Sequence, residues 1–363
     1  MLSARDERTD GYRGAMPMAE GDPMDAPRFS AEVLGRLVRG TNLDRDEARD
    51  ALGAILDGRI EGVLIASFLT ALTAKGETPG EMTGFVDAMV AAANTFALDV
   101  DALDIVGTGG DQLHTVNIST MASLAVAGCA VPVAKHGNRA ASSSVGSADV
   151  LEALGVRLDV PPELVRTCID EAHIGFLFAP TYHHALGYLT PIRRALGFRT
   201  VFNVLGPLAN PALVRRALIG VAHAGHLEAM AEVLAARGVT MAMLVNADDG
   251  LDELSLATPS TVYVVTDDGV RVERIDAGDV LDRRHGVAAI RGGDVHHNVN
   301  AVRRFLDAER GPVFDVACAN AALALMVAQR VETLRDGFDA AAASVESGRA
   351  GEALERLIAV SNS

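Results

Sequence analysis

From Ser30 to about Phe96, apolar residues recur every three or four positions, the period of helices with one buried face. Ser30 can cap the first, which carries Val33, Leu34, Leu37 and Val38. Leu43 to Leu56 makes a second, stopped by Gly58, and Val63 to Leu72 a third, stopped by Gly76. Thr78-Pro79 opens a fourth, with proline in its first turn and Met82, Phe85, Val86, Met89 and Val90 along one stripe. The pattern predicts a small all-helical domain over 27–98, with part of 187–212 joining it. After residue 103 short apolar runs alternate with helical stretches. That alternation predicts a larger α/β domain over 99–363 with a mainly parallel central sheet. Residues 1–26 are polar and carry both charges without an apolar run, which predicts a disordered tail and no signal peptide.

The stretch from Asp104 to Gly155 holds two strand–loop–helix units in succession. The first strand breaks into Gly107-Thr108-Gly109-Gly110-Asp111, and Asn117, Ser119 and Thr120 open the following helix. The second, Val131 to Ala134, runs into Lys135-His136-Gly137-Asn138-Arg139 and then Ser142, Ser143 and Ser144; Ser147 caps the next helix. Glycines let backbone N–H groups approach a ligand, helix starts add unpaired donors, and Lys135 and Arg139 add full charge. Hydroxyls at Thr115, Ser119, Thr120, Ser142, Ser143 and Ser147 suit phosphate or ribose oxygens. The tandem arrangement points to a phosphorylated ligand. A dinucleotide loop would need glycine where Gln112 stands, and no P-loop pattern occurs.

Downstream, Arg193, Arg194 and Arg199 lie close together. They fit either a solvated basic face or a guanidinium that forks onto a carboxylate. Asp248, Asp249, Asp252 and Glu253 crowd the end of the Met241–Val245 strand. Such a cluster is either an acidic turn or a hard-oxygen site for Mg2+. Thr261–Thr266 and Val270–Ile275 flank an Asp-Gly turn and read as a hairpin. His296 and His297 read as surface residues, and 317–328 as a buried helix.

Composition narrows the classes. The chain has 363 residues, 49% hydrophobic, and a net charge of −16, which argues against wrapping nucleic acid or an anionic membrane. Three cysteines without a C-x-x-C spacing read as reduced thiols in a cytoplasmic protein, and no run is long enough for a membrane span.

Taken together, GTGGD at 107–111, NIST at 117–120, KHGNR at 135–139, GSAD at 146–149, FAP at 178–180, PIR at 191–193, the 202–211 run and DGLDE at 249–253 resemble the anthranilate phosphoribosyltransferase family. The resemblance covers about 29–360. It implies a helical domain plus an α/β domain like that of nucleoside phosphorylases, a homodimer through the helical domains, and a step of tryptophan biosynthesis. That step is Mg2+-dependent transfer of phosphoribose from phosphoribosyl pyrophosphate (PRPP) to anthranilate. The resemblance places PRPP on Gly107, Gly110, Asp111, Thr115, Asn117, Ser119 and Thr120, on Lys135, Asn138, Arg139, Ala140, Ala141, Ser142 and Ser143, and near Ser147. Anthranilate falls to Gly107, Asn138, His183 and Arg193. Ser119, Asp252 and Glu253 hold Mg2+, two ions per monomer, and Lys135, His136 and Arg139 sit at the reacting centre. The chain departs from the family at Gln112, usually Gly, at His184, usually Pro, at Ser144, often Lys, and at His296-His297, commonly acidic. The same fold also serves nucleoside phosphorylases, nucleic-acid-binding relatives and transferases for other aromatic amines.

Overall fold

The computed structural model describes residues 24–140, 145–281 and 283–363. The described residues open on a helical stretch over 26–37 whose middle, Phe29–Leu34, is π-helical. Asp25, not Ser30, caps it: the Asp25 side chain accepts from the Arg28 N–H at 3.0 Å, and Ser30 lies inside the helix. Asp-Ala-Pro is a strong start signal just upstream, with proline in the first turn, so the later serine is not needed as a cap.

Three helices follow: α1 (Arg45–Leu56), α2 (Gly62–Lys75) and α3 (Pro79–Ala91). Reciprocal capping boxes, Asp44 with Glu47 and Thr78 with Glu81, fix the starts of α1 and α3. Glu81 is fully buried and also receives Lys75 at 2.8 Å and the Leu43 N–H at 3.0 Å, which ties three segments together.

Beyond residue 103 come β1 (Leu103–Gly107), α4 (Ile118–Gly128), β2 (Val133–Gly137), α5 (Ser147–Ala153), α6 (Pro162–Ala172) and β3 (Ile174–Phe178). After helix α7 (Leu189–Leu196) the sheet continues with β4 (Arg216–Gly220), helix α8 (Leu227–Ala236) and β5 (Met241–Ala247). The expected hairpin forms as β6 (Ser260–Thr266) and β7 (Gly269–Ile275). Helices α9 (Val295–Leu306), α10 (Pro312–Val327), α11 (Leu334–Glu346) and α12 (Arg349–Ser361) complete the chain. The fold is therefore a helical N-terminal domain and a larger α/β domain.

The strand order is β3-β2-β1-β4-β5-β6-β7, parallel through β5 and antiparallel beyond. Alternate residues serve opposite layers. Met241, Met243 and Val245 pack with α4, α10, α11 and α12, while Ala242 and Leu244 pack with α8 and the helical domain. Leu189, Val201, Phe202 and Leu205 share that second cluster with Phe68 and Phe85. The chain order reverses direction between β1 and β4, where Gly107 pairs with Gly220. Loops leaving the carboxyl ends of parallel strands on either side of such a point splay apart and leave a crevice.

Candidate active site

The crevice is a cavity of about 280 Å3. Three loops form its walls: the one after β1, the one after β2, and the acidic turn after β5. Gly107, Gly110, Asp111, Thr115, Asn117 and Ser119 come from the first, Lys135, His136, Asn138, Arg139, Ala140 and Ser147 from the second, and Asp252 and Glu253 from the third. The ends of three parallel strands thus deliver residues more than a hundred positions apart to one space.

Close backbone approach sets the acidic turn. A Cβ on Gly220 would lie 1.8 Å from the Asp252 carbonyl oxygen, so only glycine lets β4 pass beneath it. Asp252 Oδ2 accepts from the Gly109 N–H at 3.1 Å, which joins the acidic turn to the glycine loop. Burial, followed by the charge of nearby Asp111, pushes the Asp252 carboxyl up to about 7. Burial and then Asp252 hold Glu253 well above the ordinary carboxylate range. Asp111 Oδ2 is buried without a hydrogen-bond partner.

Lys135 faces these carboxylates. It is only 1% exposed, and Nζ donates to the Ile105 carbonyl at 2.6 Å and to Ser119 Oγ at 3.3 Å. Burial lowers its pKa to about 8, with Asp104 and then Glu253 acting in the opposite sense. A protonated amine has three donors, so one remains for a ligand. His136 is held neutral: burial, then His183 and Lys135, take its pKa to about 3, and its Nε2 has no partner. The His183 ring lies 5.4 Å from that of His136 and its Nε2 meets the Ala209 carbonyl at 3.0 Å.

Other expected residues fall differently. Arg139 lines the cavity, yet its guanidinium forks onto Glu152 at 2.7 and 2.8 Å and reaches Asp149 at 3.2 Å. Both amide ends of Asn117 are engaged, Oδ1 by Asn298 at 2.8 Å and Nδ2 by the Val145 carbonyl at 3.2 Å. Thr120 is buried outside the cavity wall with a partnerless hydroxyl. Ser147 is the first residue of α5 and not its cap; Gly146 takes that place, and Asp149 accepts from its N–H at 2.9 Å. Ala141, Ser142, Ser143 and Ser144 lie outside the described residues. His183 and Arg193 lie outside the phosphate cavity wall. Arg193 is half-buried on α7 with its guanidinium 5.4 Å over the Phe202 ring, and burial lowers its pKa. Among the described residues no carboxylate pairs with it.

Gln112 sits at φ +62 and His114 at φ +52, in the left-handed region that glycine enters freely. The glutamine departure thus costs roughly 1–2 kcal/mol of local strain. One residue of the arginine cluster and two residues not singled out by sequence reasoning also support the site. Arg199 Nη1 donates to the Gly110 carbonyl at 3.0 Å, and Asp104 and Asn210 brace β2 from beneath. The arginine cluster at 193–199 signalled the first; nothing local signalled the pair.

Hard oxygen donors from Asp111, Asp252, Glu253 and Ser119 suit Mg2+ held partly by substrate oxygens. Among the described residues no three His, Cys, Asp or Glu side chains enclose a metal by themselves. No helix among them is long and apolar enough to cross a membrane.

Residues 99–351 match the family described as glycosyl transferase family, a/b domain, and residues 31–93 its helical bundle domain. An anthranilate phosphoribosyltransferase of Thermomicrobium roseum is 48% identical over 335 residues, covering 91% of this chain and 96% of that one. The solved Thermus thermophilus anthranilate phosphoribosyltransferase superposes with a TM-score of 0.84 at 38% identity, covering 91% and 99%. The Saccharomyces cerevisiae protein of that name, solved with PRPP and Mg, gives 0.85 at 26% identity, covering 92% and 97%. Its complex with 4-fluoroanthranilate gives 0.82 at 25% identity, covering 91% and 97%.

Proposed function

The chain belongs to the anthranilate phosphoribosyltransferase family, and on that premise we propose how its residues move phosphoribose from PRPP to the amine of anthranilate, releasing pyrophosphate. One observation carries the reading: buried Lys135, the Asp252–Glu253 carboxylates and the glycine loop of 107–111 converge on a single cavity at strand ends.

PRPP rests its phosphates against Gly107 and Gly110 of the glycine loop and on the start of α4, where helix dipole and unpaired donors favour anions. Lys135 gives its remaining hydrogen to the pyrophosphate. Arg139 exchanges Glu152 for phosphate, and Ala140, Ala141, Ser142 and Ser143 are assigned to PRPP with it. Thr115, Ser119 and Ser147 supply hydroxyls. Asn117 holds the helix start in place more than it touches ligand, since it is already bonded at both ends.

Mg2+, bound with PRPP, would neutralise charge gathering on the departing pyrophosphate. Asp252, Glu253 and Ser119 would hold it, two ions per monomer; the relative solved with PRPP and Mg supports the choice of metal. Proton loss from the raised Asp252 and Glu253 carboxyls would accompany that binding.

Arg193 takes the anthranilate carboxylate, as its half-buried guanidinium, without a carboxylate partner among the described residues, suggests. Gly107 and Asn138 flank the ring, with His183 behind. The amine nitrogen then bonds ribose C1 while the C1–oxygen bond to pyrophosphate breaks with its electron pair. Neutral His136 accepts a hydrogen bond from the amine through Nε2 and orients it; its low pKa leaves the final proton to solvent. Positioning and charge stabilisation supply the rate, without a protein nucleophile.

We also propose a homodimer through the helical domain, where Val38 and Val63 stand 76% and 68% exposed beside an apolar groove. Free thiols at Cys129, Cys168 and Cys318 favour a reducing, cytoplasmic setting. Mass spectrometry of a reaction with PRPP, Mg2+ and anthranilate tests the function. N-(5-phosphoribosyl)anthranilate and pyrophosphate in equal amounts support it, and cleavage of PRPP without that adduct contradicts it.

A further inference from the structure

A second concavity of about 590 Å3 lies on the far side of the PRPP loop, between α9, the 288–291 segment and the start of α10. Its rim carries Arg291, Arg303, Arg304 and Arg310, and its lining includes Val116, Val313 and Phe314. Glu309 is the one acidic residue among that lining, and it is taken by Arg304 at 2.6 Å. Arg310 lies 4.3 Å over the Phe314 ring and pairs with Glu346. Arg291 and Arg303 have no acidic partner among the described residues. A chain of net charge −16 thus gathers four guanidinium groups, two of them paired with carboxylates, around one hollow whose lining is part polar and part apolar. Such a field focuses anions, and guanidinium forks match carboxylates. The volume fits a small organic ligand.

The hollow shares a wall with the catalytic cavity. Arg291 forms an isolated antiparallel bridge with Thr115. The Val116 N–H donates to the Ile290 carbonyl at 3.0 Å, and the Gly292 N–H to the His114 carbonyl at 2.7 Å. Helix α9 lines the hollow and also carries Asn298, whose amide grips Asn117 at 2.8 Å at the start of α4. Movement of α9 or of 290–292 therefore moves Thr115 and Asn117.

We infer that this arginine-rimmed hollow binds a small aromatic carboxylate, and that its occupancy alters PRPP affinity through the 114–117 segment. The coupling rests on the assignment of PRPP to the catalytic cavity; the binding does not.

The test is calorimetric titration of the full chain with 2-naphthoate, an aromatic carboxylate without an amine. It is run for wild type, the double variant Arg291→Glu/Arg303→Glu and Arg193→Ala. Circular dichroism and retained PRPP binding confirm that the variants fold. We expect saturable binding in wild type and Arg193→Ala, weakened at least about tenfold by the double charge reversal. No binding, equal binding in all three proteins, or loss in Arg193→Ala would overturn the site. Inorganic phosphate binding as tightly would overturn the aromatic half of the assignment. PRPP titrated with and without saturating 2-naphthoate reads the coupling. We expect at least about a threefold shift in wild type and none in the double variant. An unchanged PRPP affinity overturns the coupling alone, and failure of PRPP to bind at all counts against the catalytic reading instead.

Discussion

Asn210 braces Asp104 from 106 positions away, its Nδ2 donating to Asp104 Oδ2 at 2.8 Å and to the Ala134 carbonyl at 2.9 Å. The other carboxyl oxygen accepts from the His136 N–H at 3.0 Å. Asp104 lies on β1 and His136 on β2, so one buried carboxyl sets the two strands that carry the ligand loops. Asn210 belongs to the segment returning from the helical domain, and its Oδ1 also receives the Ala212 N–H at 2.8 Å. Truncation in Asn210→Ala leaves three buried groups unpaired and should cost about 3 kcal/mol or more, read by urea unfolding.

Burial raises the Asp104 carboxyl to about 6 despite its donors, with Asn210 and His136 opposing. A carboxyl raised in the folded state adds stability that is complete below its unfolded value, about 4, and is lost as pH rises through about 6. Asp104→Asn removes that titration, so the fall in stability between those pH values should flatten by about 3 kcal/mol. Chemical denaturation across that range checks the slope. An unchanged slope would mean that other carboxyls dominate.

Gly220 and Asp252 make a sharper steric prediction. With a Cβ 1.8 Å from the Asp252 carbonyl oxygen, Gly220→Ala must push the acidic turn away from Gly109. The Mg2+ concentration for half-maximal activity should rise about tenfold, a loss of about 1.4 kcal/mol. Gly225→Ala, where a Cβ meets nothing within 4 Å, should leave it unchanged.

Proton release at Asp252 gives a pH test. Its carboxyl is raised to about 7, so on the proposed assignment Mg2+ would compete with a proton below that pH. Apparent Mg2+ affinity in the presence of PRPP should strengthen as pH rises through about 7. The ligand-free protein should lose stability over the same rise, because the raised carboxyl favours folding only while protonated. Calorimetry in two buffers of different ionisation heat would detect the released proton.

Lys135 predicts the alkaline side. Its charge fades above about 8, so kcat/KM for PRPP should fall there. Lys135→Met should cost about a hundredfold or more in kcat/KM and abolish that limb in whatever activity remains.

Local patterning carried the helical stripes, the Asp-Gly hairpin and the glycine loop, because each is written in neighbouring residues. The Asp104–Asn210 and Asn117–Asn298 bonds were not legible, since only the sheet order brings such distant positions together. Ser30 resembled a cap by residue type, but Asp25 with Pro27 starts the helix earlier. Gln112 looked like a simple departure from glycine; its positive φ appears only in the folded loop. Arg139 read as a free charge because Glu152, one helix away, could not be placed beside it from sequence.

The most direct measurement is the loss of anthranilate fluorescence on addition of PRPP and Mg2+, with wild type beside Arg193→Ala. The account predicts PRPP-dependent loss in wild type and a KM for anthranilate raised at least about tenfold in the variant, with PRPP affinity kept. Anthranilate that persists while PRPP binds would contradict the acceptor, and an unchanged KM in the variant would contradict the place given to Arg193.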